Sequence, residues 1–303
     1  MNRLDYDAVV VGGGPGGLSA ALWLGRCRRK TLLVDAGEGR NSRARGLHGF
    51  LSRDGVPPAE LRRLGREEIA GYDVSVREDS VVHATGDPDG FALELASGGS
   101  VRSVKLILAT GVRDRLPDVA GLEERYGTSV HHCPYCDGWE HRDQALAVYG
   151  RGAAGFAVAK KLHNWSADVA LCTDGPTGLR AHQVQELARL GIPVHRRRIA
   201  QLEGPGTKLE SIRFMDGSQL ARRALFFTLG WDLKSDLAIE LGCRRTRQGC
   251  IRTDEHERTS VPGVYAVGDA SRDLQLVVLA AAEGAKAAIH LHETLLEERR
   301  PGR

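Results

Sequence analysis

The strongest constraint on this chain is a glycine pattern used twice, Gly12-x-Gly14-x-x-Gly17 and Gly150-x-Gly152-x-x-Gly155. Ala8-Val9-Val10-Val11, just before the first copy, reads as a buried strand, and Leu18, Ala21, Leu22 and Gly25 recur at helical spacing after it. Thr31-Leu32-Leu33-Val34 makes a second strand that ends in Asp35, twenty-three residues after Gly12. Each part has a physical task. The glycines permit a tight turn and close backbone approach, the helix N-terminus offers N–H groups to a pyrophosphate, and the acid can accept hydrogen bonds from ribose hydroxyls. Gly12, Gly14, Gly17 and Asp35 are therefore candidate dinucleotide-binding residues, the alternative being a βαβ unit without a ligand.

The same order recurs after residue 145, with a strand over 145–149, the second glycine loop, a helix over 156–162 and a strand over 169–172. Each copy continues into short alternating runs joined by turn residues. In the first these are 74–82, 91–95 and 101–108, read as a β-meander that closes on Ala109-Thr110-Gly111; in the second the turns are Gly204-Pro205-Gly206 and Asp216-Gly217, and the run closes at Gly230. An apolar strand ending in Gly268-Asp269 and a helix over 275–298 complete the chain. The expectation is an α/β fold with two Rossmann-like nucleotide-binding domains of three-layer ββα type, one plan used twice.

Between the copies lies Cys133-Pro134-Tyr135-Cys136-Asp137-Gly138, whose first cysteine precedes Gly150 by seventeen residues. Two thiols at this spacing can close a small-loop disulfide and store two electrons, and an adjacent carboxylic acid can exchange protons with them. Zinc ligation is the competing reading, since His131 and His132 precede the pair. A structural zinc site calls for a second ligand pair nearby, and His141 is the one histidine close downstream. Cys27, Cys172, Cys243 and Cys250 have no close sequence partner and read as small buried hydrophobes. With 42 basic and 39 acidic residues the net charge is +3, too balanced to favour nucleic acid or an anionic membrane as partner. No stretch reaches eighteen apolar residues and the N-terminus lacks a signal-peptide pattern, so the expectation is a soluble, cytoplasmic protein.

Taken together, the two glycine loops, Ala109-Thr110-Gly111, the Cys-x-x-Cys-Asp-Gly and Gly268-Asp269 resemble the low-molecular-weight thioredoxin reductase family of flavin disulfide oxidoreductases over essentially the whole chain. The resemblance implies FAD held by a discontinuous domain, 1–113 with 236–303, and a second, NAD(P)-binding-like domain over 114–235 inserted in it and carrying the cysteines. It places Gly12, Gly14, Gly17 and Asp35 on the ADP half of FAD, and Asn41, Thr110, Gly111, Gly268, Asp269 and Gln275 among the other cofactor-facing residues. The helix after Gln275 is then expected to point its positive end at the flavin. It also makes Cys136 the flavin-facing sulfur, Cys133 the sulfur that exchanges with substrate, and Asp137 the acid and base. A homodimer is implied, acting on a small dithiol or disulfide or on a thioredoxin-like protein.

Two departures bear on the direction of electron flow. Where the family places a His-Arg-Arg cluster to grip the 2′-phosphate of NADPH, this chain has Cys172-Thr173-Asp174; its His195-Arg196-Arg197-Arg198 begins forty-three residues after Gly152, one strand too late. Pro134-Tyr135, Asn41 and His48-Gly49-Phe50 resemble instead the family's dithiol oxidase branch, in which a substrate dithiol reduces the cysteines, the cysteines reduce FAD and oxygen takes the electrons. His48 is a candidate flavin contact in that case, or a surface histidine. NAD(P)H use is left open, an NADPH-dependent thioredoxin-disulfide reductase remains the alternative, and a flavin-containing redox sensor is the alternative outside enzymes.

Overall fold

The computed structural model describes residues 4–298. Two compact units are present: one takes the chain through Ser42, Phe50–Arg113 and from Asp232 onward, the other Arg43–Gly49 and Asp114–Trp231. The return to the first unit therefore comes at Asp232 rather than at 236, and the short segment Arg43–Gly49 groups with the second unit.

In the first unit β1 (Tyr6–Val11), α1 (Pro15–Arg26), β2 (Thr31–Val34), α2 (Pro58–Ala70) and β3 (Val74–Arg77) lead into a meander of β4 (Val81–Asp87), β5 (Gly90–Leu95) and β6 (Ser100–Leu108). The strands lie in the order β3-β2-β1-β6-β5-β4. β6 is long enough to take β1 in parallel (Val9↔Leu106, Val11↔Leu108) and β5 antiparallel (Phe91↔Ser103, Leu93↔Val101). Because strand side chains alternate between faces, the run Ala8 to Val11 serves two cores. Val9 and Val11 pack with Leu32, Leu106 and the meander residues Phe91 and Leu93, whereas Ala8 and Val10 pack with Leu33, Ile107 and the α1 residues Leu18 and Leu24.

Two elements differ from the sequence expectation. Residues 74–77 are not part of the meander but the edge strand β3, parallel to β2 (Thr31↔Val74, Val34↔Arg77). α2 has no counterpart in the sequence reading: it buries only Pro58 and Ile69, starts on proline, and carries Arg63 between Glu60 and Glu67 at 2.6 and 2.5 Å.

The chain leaves through β7 (Val112–Asp114) into the second unit, where β8 (Val130–His131), α3 (Pro134–Asp137), β9 (Leu146–Tyr149), α4 (Gly152–Leu162), β10 (Val169–Cys172), α5 (Ala181–Arg189) and β11 (Val194–His195) follow. A three-stranded meander, β12 (Ile199–Glu203), β13 (Ser211–Phe214) and β14 (Gln219–Ala221), precedes β15 (Ala224–Phe227), and the parallel sheet runs β11-β10-β9-β15-β8. The two-faced core repeats here: Ala147, Leu225 and Phe227 face the meander, Leu146, Val148 and Phe226 face the helices. β16 (Trp231–Leu233), α6 (Leu237–Glu240), β17 (Val264–Ala266) and α7 (Val277–Glu298) finish the first unit, β17 pairing with β6. Among the described residues no helix is long and apolar enough to cross a membrane.

α7 begins at Val277, two residues later than Gln275, and packs on α1 by backbone contact. A Cβ on Gly284 would stand 2.0 Å from the Gly16 carbonyl oxygen and 3.0 Å from the Ala20 nitrogen. A mid-helix glycine costs up to about 1 kcal/mol of helix propensity, so its use here reflects this close crossing. Gly284→Val is expected to force α1 and α7 apart and to lower the unfolding free energy by about 1–3 kcal/mol, the range for overpacked sites. Urea denaturation checks this, and an unchanged midpoint would refute the crossing.

Candidate functional site

The first glycine loop divides its work among three residues. Gly12, at φ +110°, turns so closely that a Cβ would fall 2.3 Å from the Ala109 carbonyl oxygen, and a Cβ on Gly17 would fall 1.8 Å from that of Gly12. Gly14 is different: nothing lies within 4 Å of the position its Cβ would take. The loop therefore fits a dinucleotide, with two glycines spent on packing and one facing open space at the N-terminus of α1. At the end of β2 the Asp35 carboxyl is buried. Its Oδ2 accepts from Arg62 (2.9 Å) and Arg66 (2.6 Å) and its Oδ1 from the Gly37 N–H (3.1 Å). Burial alone would raise its pKa; the Arg66 and Gly37 hydrogen bonds and the Arg62 charge more than offset this and hold it below the usual carboxylate range. A carboxylate accepts about four hydrogen bonds, so one place on Oδ1 is left for a ribose hydroxyl.

Of the remaining first-unit candidates, Asp269 and Gln275 meet at the Gly268 turn. Asp269 forms an ion pair with Arg40 at 2.8 Å; Arg40 also donates to Gln275 Oε1 at 2.5 Å, and Gln275 Nε2 donates to the Asp269 carbonyl at 3.1 Å. Gln275 thus lies just before α7 and ties its start to the turn. The Gly268 N–H donates to Glu283 Oε2 (2.7 Å), and Arg272 bridges Glu283 to the wholly buried Glu257. Asn41 directly follows Arg40 and is half-buried, as are Thr110 and Gly111. His48 belongs to the second unit, its Nδ1 3.5 Å from Glu140 Oε1.

Cys133 and Cys136 are joined in a disulfide, with Cα atoms 5.3 Å apart. Local chemistry explains the turn. Cys133 caps α3, its Sγ accepting the Cys136 N–H at 3.1 Å, and Pro134 occupies the first helical position, where its missing N–H costs nothing. Gly138 gives Trp165 room, since a Cβ there would stand 2.9 Å from its ring, and Tyr135 meets the same ring edge-on at 5.9 Å. Asp137 is largely buried, its Oδ1 3.2 Å from His131 Nδ1. Burial pushes its pKa up, but the His131 hydrogen bond, followed by the charges of His131 and His132, outweighs burial and the net shift is downward. His131 Nε2 lies 2.9 Å from His141 Nε2, so these imidazoles face one another and the acid. Among the described residues no three His, Cys, Asp or Glu side chains form a metal-holding group.

In the second glycine loop the outer glycines repeat the packing roles: a Cβ on Gly150 would fall 2.3 Å from Thr228 Oγ1, and one on Gly155 2.7 Å from the Gly150 carbonyl carbon. The middle glycine does not repeat. The Gly152 N–H, at the start of α4, donates to the Thr177 carbonyl at 2.8 Å, and the position of its Cβ is 3.5 Å from the Gly178 carbonyl oxygen. Asp174 pins this covering segment. Its Oδ1 accepts the Ile199 N–H (2.8 Å), its Oδ2 accepts the Tyr149 hydroxyl (3.2 Å), and Arg151 lies at 3.6 Å. Arg197, from the later basic run, stacks on Phe214 at 4.4 Å and donates to Ser218.

Residues 6–284 match the pyridine nucleotide-disulphide oxidoreductase family. The chain belongs to that family. It is 32% identical to the thioredoxin reductase tcpT of Claviceps purpurea, over 87% of this chain and 86% of the relative. A crystal structure of HlmI superposes with a TM-score of 0.92 at 38% identity (96% of this chain, 93% of that one), and that of an Agrobacterium tumefaciens oxidoreductase with 0.90 at 36% (97% and 99%). The protein is thus a thioredoxin reductase-like oxidoreductase acting on disulfides, with the fold of those reductases, and the family implies a bound flavin.

Sequence reading missed Arg40, Arg62 and Arg66, which sit in a loop and on a helix whose partners are far away in the chain, and it weighed His131 and His141 only as zinc ligands. Their spacing from Asp137 was the available signal. Because Gly14 has an ordinary φ of −75° and open space beside it, Gly14→Leu is expected to leave folding intact and abolish flavin retention. Flavin absorbance per chain, read beside the melting temperature, checks this; full flavin content would show that the first loop is not the cofactor site.

Proposed function

We propose that this protein is an FAD-dependent dithiol oxidase. In this reading a substrate dithiol is oxidised to a disulfide while the Cys133–Cys136 bond is reduced to two thiols. The carrying observation is the contrast between the loops. Gly14 faces open space, whereas Gly152 is covered by the chain's own Thr177 and Gly178. A pyrophosphate at α4 would have to displace a carbonyl already bonded to the N–H it needs. Asp174 adds negative charge where NADPH carries its 2′-phosphate, and its carboxylate is already taken up by Ile199 and Tyr149.

Gly12, Gly14, Gly17, Asp35, Asn41, Thr110, Gly111, Gly268, Asp269 and Gln275 are assigned to FAD, and His48 to its neighbourhood. Bound there, FAD supplies the two-electron chemistry that re-oxidises the cysteines and passes the electrons to oxygen, giving hydrogen peroxide. Within the protein, a substrate thiolate attacks Cys133 Sγ, Cys136 departs as thiolate, and Asp137 holds the proton exchanged with the departing sulfur. Exposed Tyr135 and Trp139, 60% and 64% accessible, offer apolar surface beside the disulfide for a small dithiol. A homodimer in the cytoplasm completes the reading. A thioredoxin-like protein substrate, as the name of the Claviceps relative indicates for that protein, is the competing outcome.

Under anaerobic conditions dithiothreitol is expected to bleach the flavin while NADPH and NADH do so at least about a hundredfold more slowly, and admitted oxygen should restore the colour with stoichiometric peroxide. Rapid bleaching by micromolar NADPH would overturn the oxidase reading in favour of a reductase. Cys133→Ser and Cys136→Ser should each abolish turnover, and Asp137→Asn should slow it by about a hundredfold, the scale for a lost general acid.

A further inference from the structure

The two histidines that flank the redox turn form a chain with Asp137 that the functional reading does not use. His131 ends β8 and is 5% exposed, held against β15 by the pairing of His131 with Phe226. Its ring lies 5.3 Å from the Phe226 ring, and that of His141 lies 6.3 Å from it, edge-on. In order the polar contacts are Asp137 Oδ1 to His131 Nδ1 (3.2 Å), His131 Nε2 to His141 Nε2 (2.9 Å) and His141 Nδ1 to Gln144 Oε1 (3.3 Å).

The Gln144 end fixes the hydrogens. An amide oxygen only accepts, so His141 carries its hydrogen on Nδ1 and presents a bare Nε2. Burial, then the charge of His131, pushes the His141 pKa down, which keeps that ring neutral. His131 must therefore place a hydrogen on Nε2. Its Nδ1 then faces a carboxylate oxygen, and two lone pairs would oppose each other unless a proton lies between them. Whether that proton is drawn on Asp137 or on His131, the pair holds one.

We propose that His131 and His141 are positioning residues that keep one proton stored on the Asp137–His131 pair, ready for the sulfur that departs when the disulfide is opened. This deepens, and rests on, the reading of Asp137 as the acid of dithiol exchange. The proton moves from the pair to the departing thiolate, leaving Asp137 as carboxylate beside neutral His131, and the pair is reprotonated from solvent; no electron passes through these groups. The other titratable groups around the pair are His132, whose Nδ1 is 3.6 Å from Asp114 Oδ2, Asp114 itself and Tyr126, whose hydroxyl bonds Asp114 at 2.5 Å.

The test is the pH dependence of anaerobic flavin reduction by dithiothreitol in the flavin-loaded enzyme. In His141→Phe, the ring packing on Phe226 is kept but His131 is free to carry its hydrogen on Nδ1 and satisfy Asp137 while neutral. The pair then gives up its stored proton more readily. The falling limb of the rate at high pH is expected to move down by about one unit, giving about a tenfold loss at pH 8 and little loss at pH 6. Combined with Asp137→Asn, His141→Phe should cost nothing further. A loss equal at every pH, or one that adds fully to that of Asp137→Asn, overturns the proposal. Imidazole nitrogen-15 shifts of the unsubstituted enzyme give an independent reading: His141 should show a protonated Nδ1 and a bare Nε2, and the opposite tautomer refutes the chain of contacts without any variant. Asp137→Asn at the parental rate would instead sink the functional reading itself, while its expected loss beside an unmoved limb in His141→Phe would sink only the stored proton.

Discussion

Everything in this fold is organised by a backbone contact that tolerates no side chain, the approach of the third glycine of each loop to the first. At 1.8 Å from a would-be Cβ on Gly17 to the Gly12 oxygen, and 2.7 Å from one on Gly155 to the Gly150 carbonyl carbon, no rotamer adjustment relieves an added methyl group, because the opposing atoms are backbone. That contact seats each helix against its first strand. It fixes which faces of β1 and β9 meet helices and which meet the meander, and so dictates both two-faced cores. It also sets the direction of the helix N-termini, so each copy aims its backbone N–H groups at the same place before any specific side chain is chosen.

With that scaffold held constant, the copies differ in what occupies the helix end. In the first, the acid after β2 is clamped by Arg62 and Arg66 from α2, leaving the middle glycine open. In the second, the acid two residues beyond β10 bonds the chain's own Ile199 N–H and Tyr149 hydroxyl, and the segment it pins supplies a carbonyl to Gly152. The same residue type thus has opposite effects. Asp35 is braced from the side and keeps an acceptor site, whereas Asp174 draws a loop down over the place a ligand would take. Backbone hydrogen bonds are expensive to leave unmade in a buried setting, so the closed arrangement is stable in the absence of any partner.

Much of this was legible in the sequence because it rests on local rules. Glycine spacing, apolar runs of strand length and turn dipeptides located both glycine loops, most of the meander strands and the cysteine turn. What was not legible depends on distant partners. α2 buries too little apolar surface to show a helical stripe, and its purpose is to present arginines to Asp35, some thirty residues away in the chain. β3 alternates like a meander strand, yet its partner is β2 and not β4. For Asp174, the sequence showed only that an acid stands where the family places a phosphate-gripping cluster; the structure spends its carboxylate on Ile199, which no motif encodes. His131 and His141 were visible as residues but not as partners, since their contact needs β8 in register with β15.

Two buried carboxylates show how the choice of counter-ion separates holding from reacting. Asp35 and Asp137 both suffer burial that favours the neutral acid, and in both the surroundings reverse it. Around Asp35 the reversal comes from guanidinium groups, with the Gly37 N–H, and guanidinium groups do not give up protons in proteins, so the partners that favour its carboxylate form do not titrate. Around Asp137 it comes from imidazoles, the side chains whose ordinary titration falls nearest neutrality. Their charge can change hands with the acid during a turnover. An arginine at position 131 would hold Asp137 ionised as firmly, but that hydrogen-bond partner would then be one that does not exchange its proton, so the acid role proposed for Asp137 depends on an imidazole standing there.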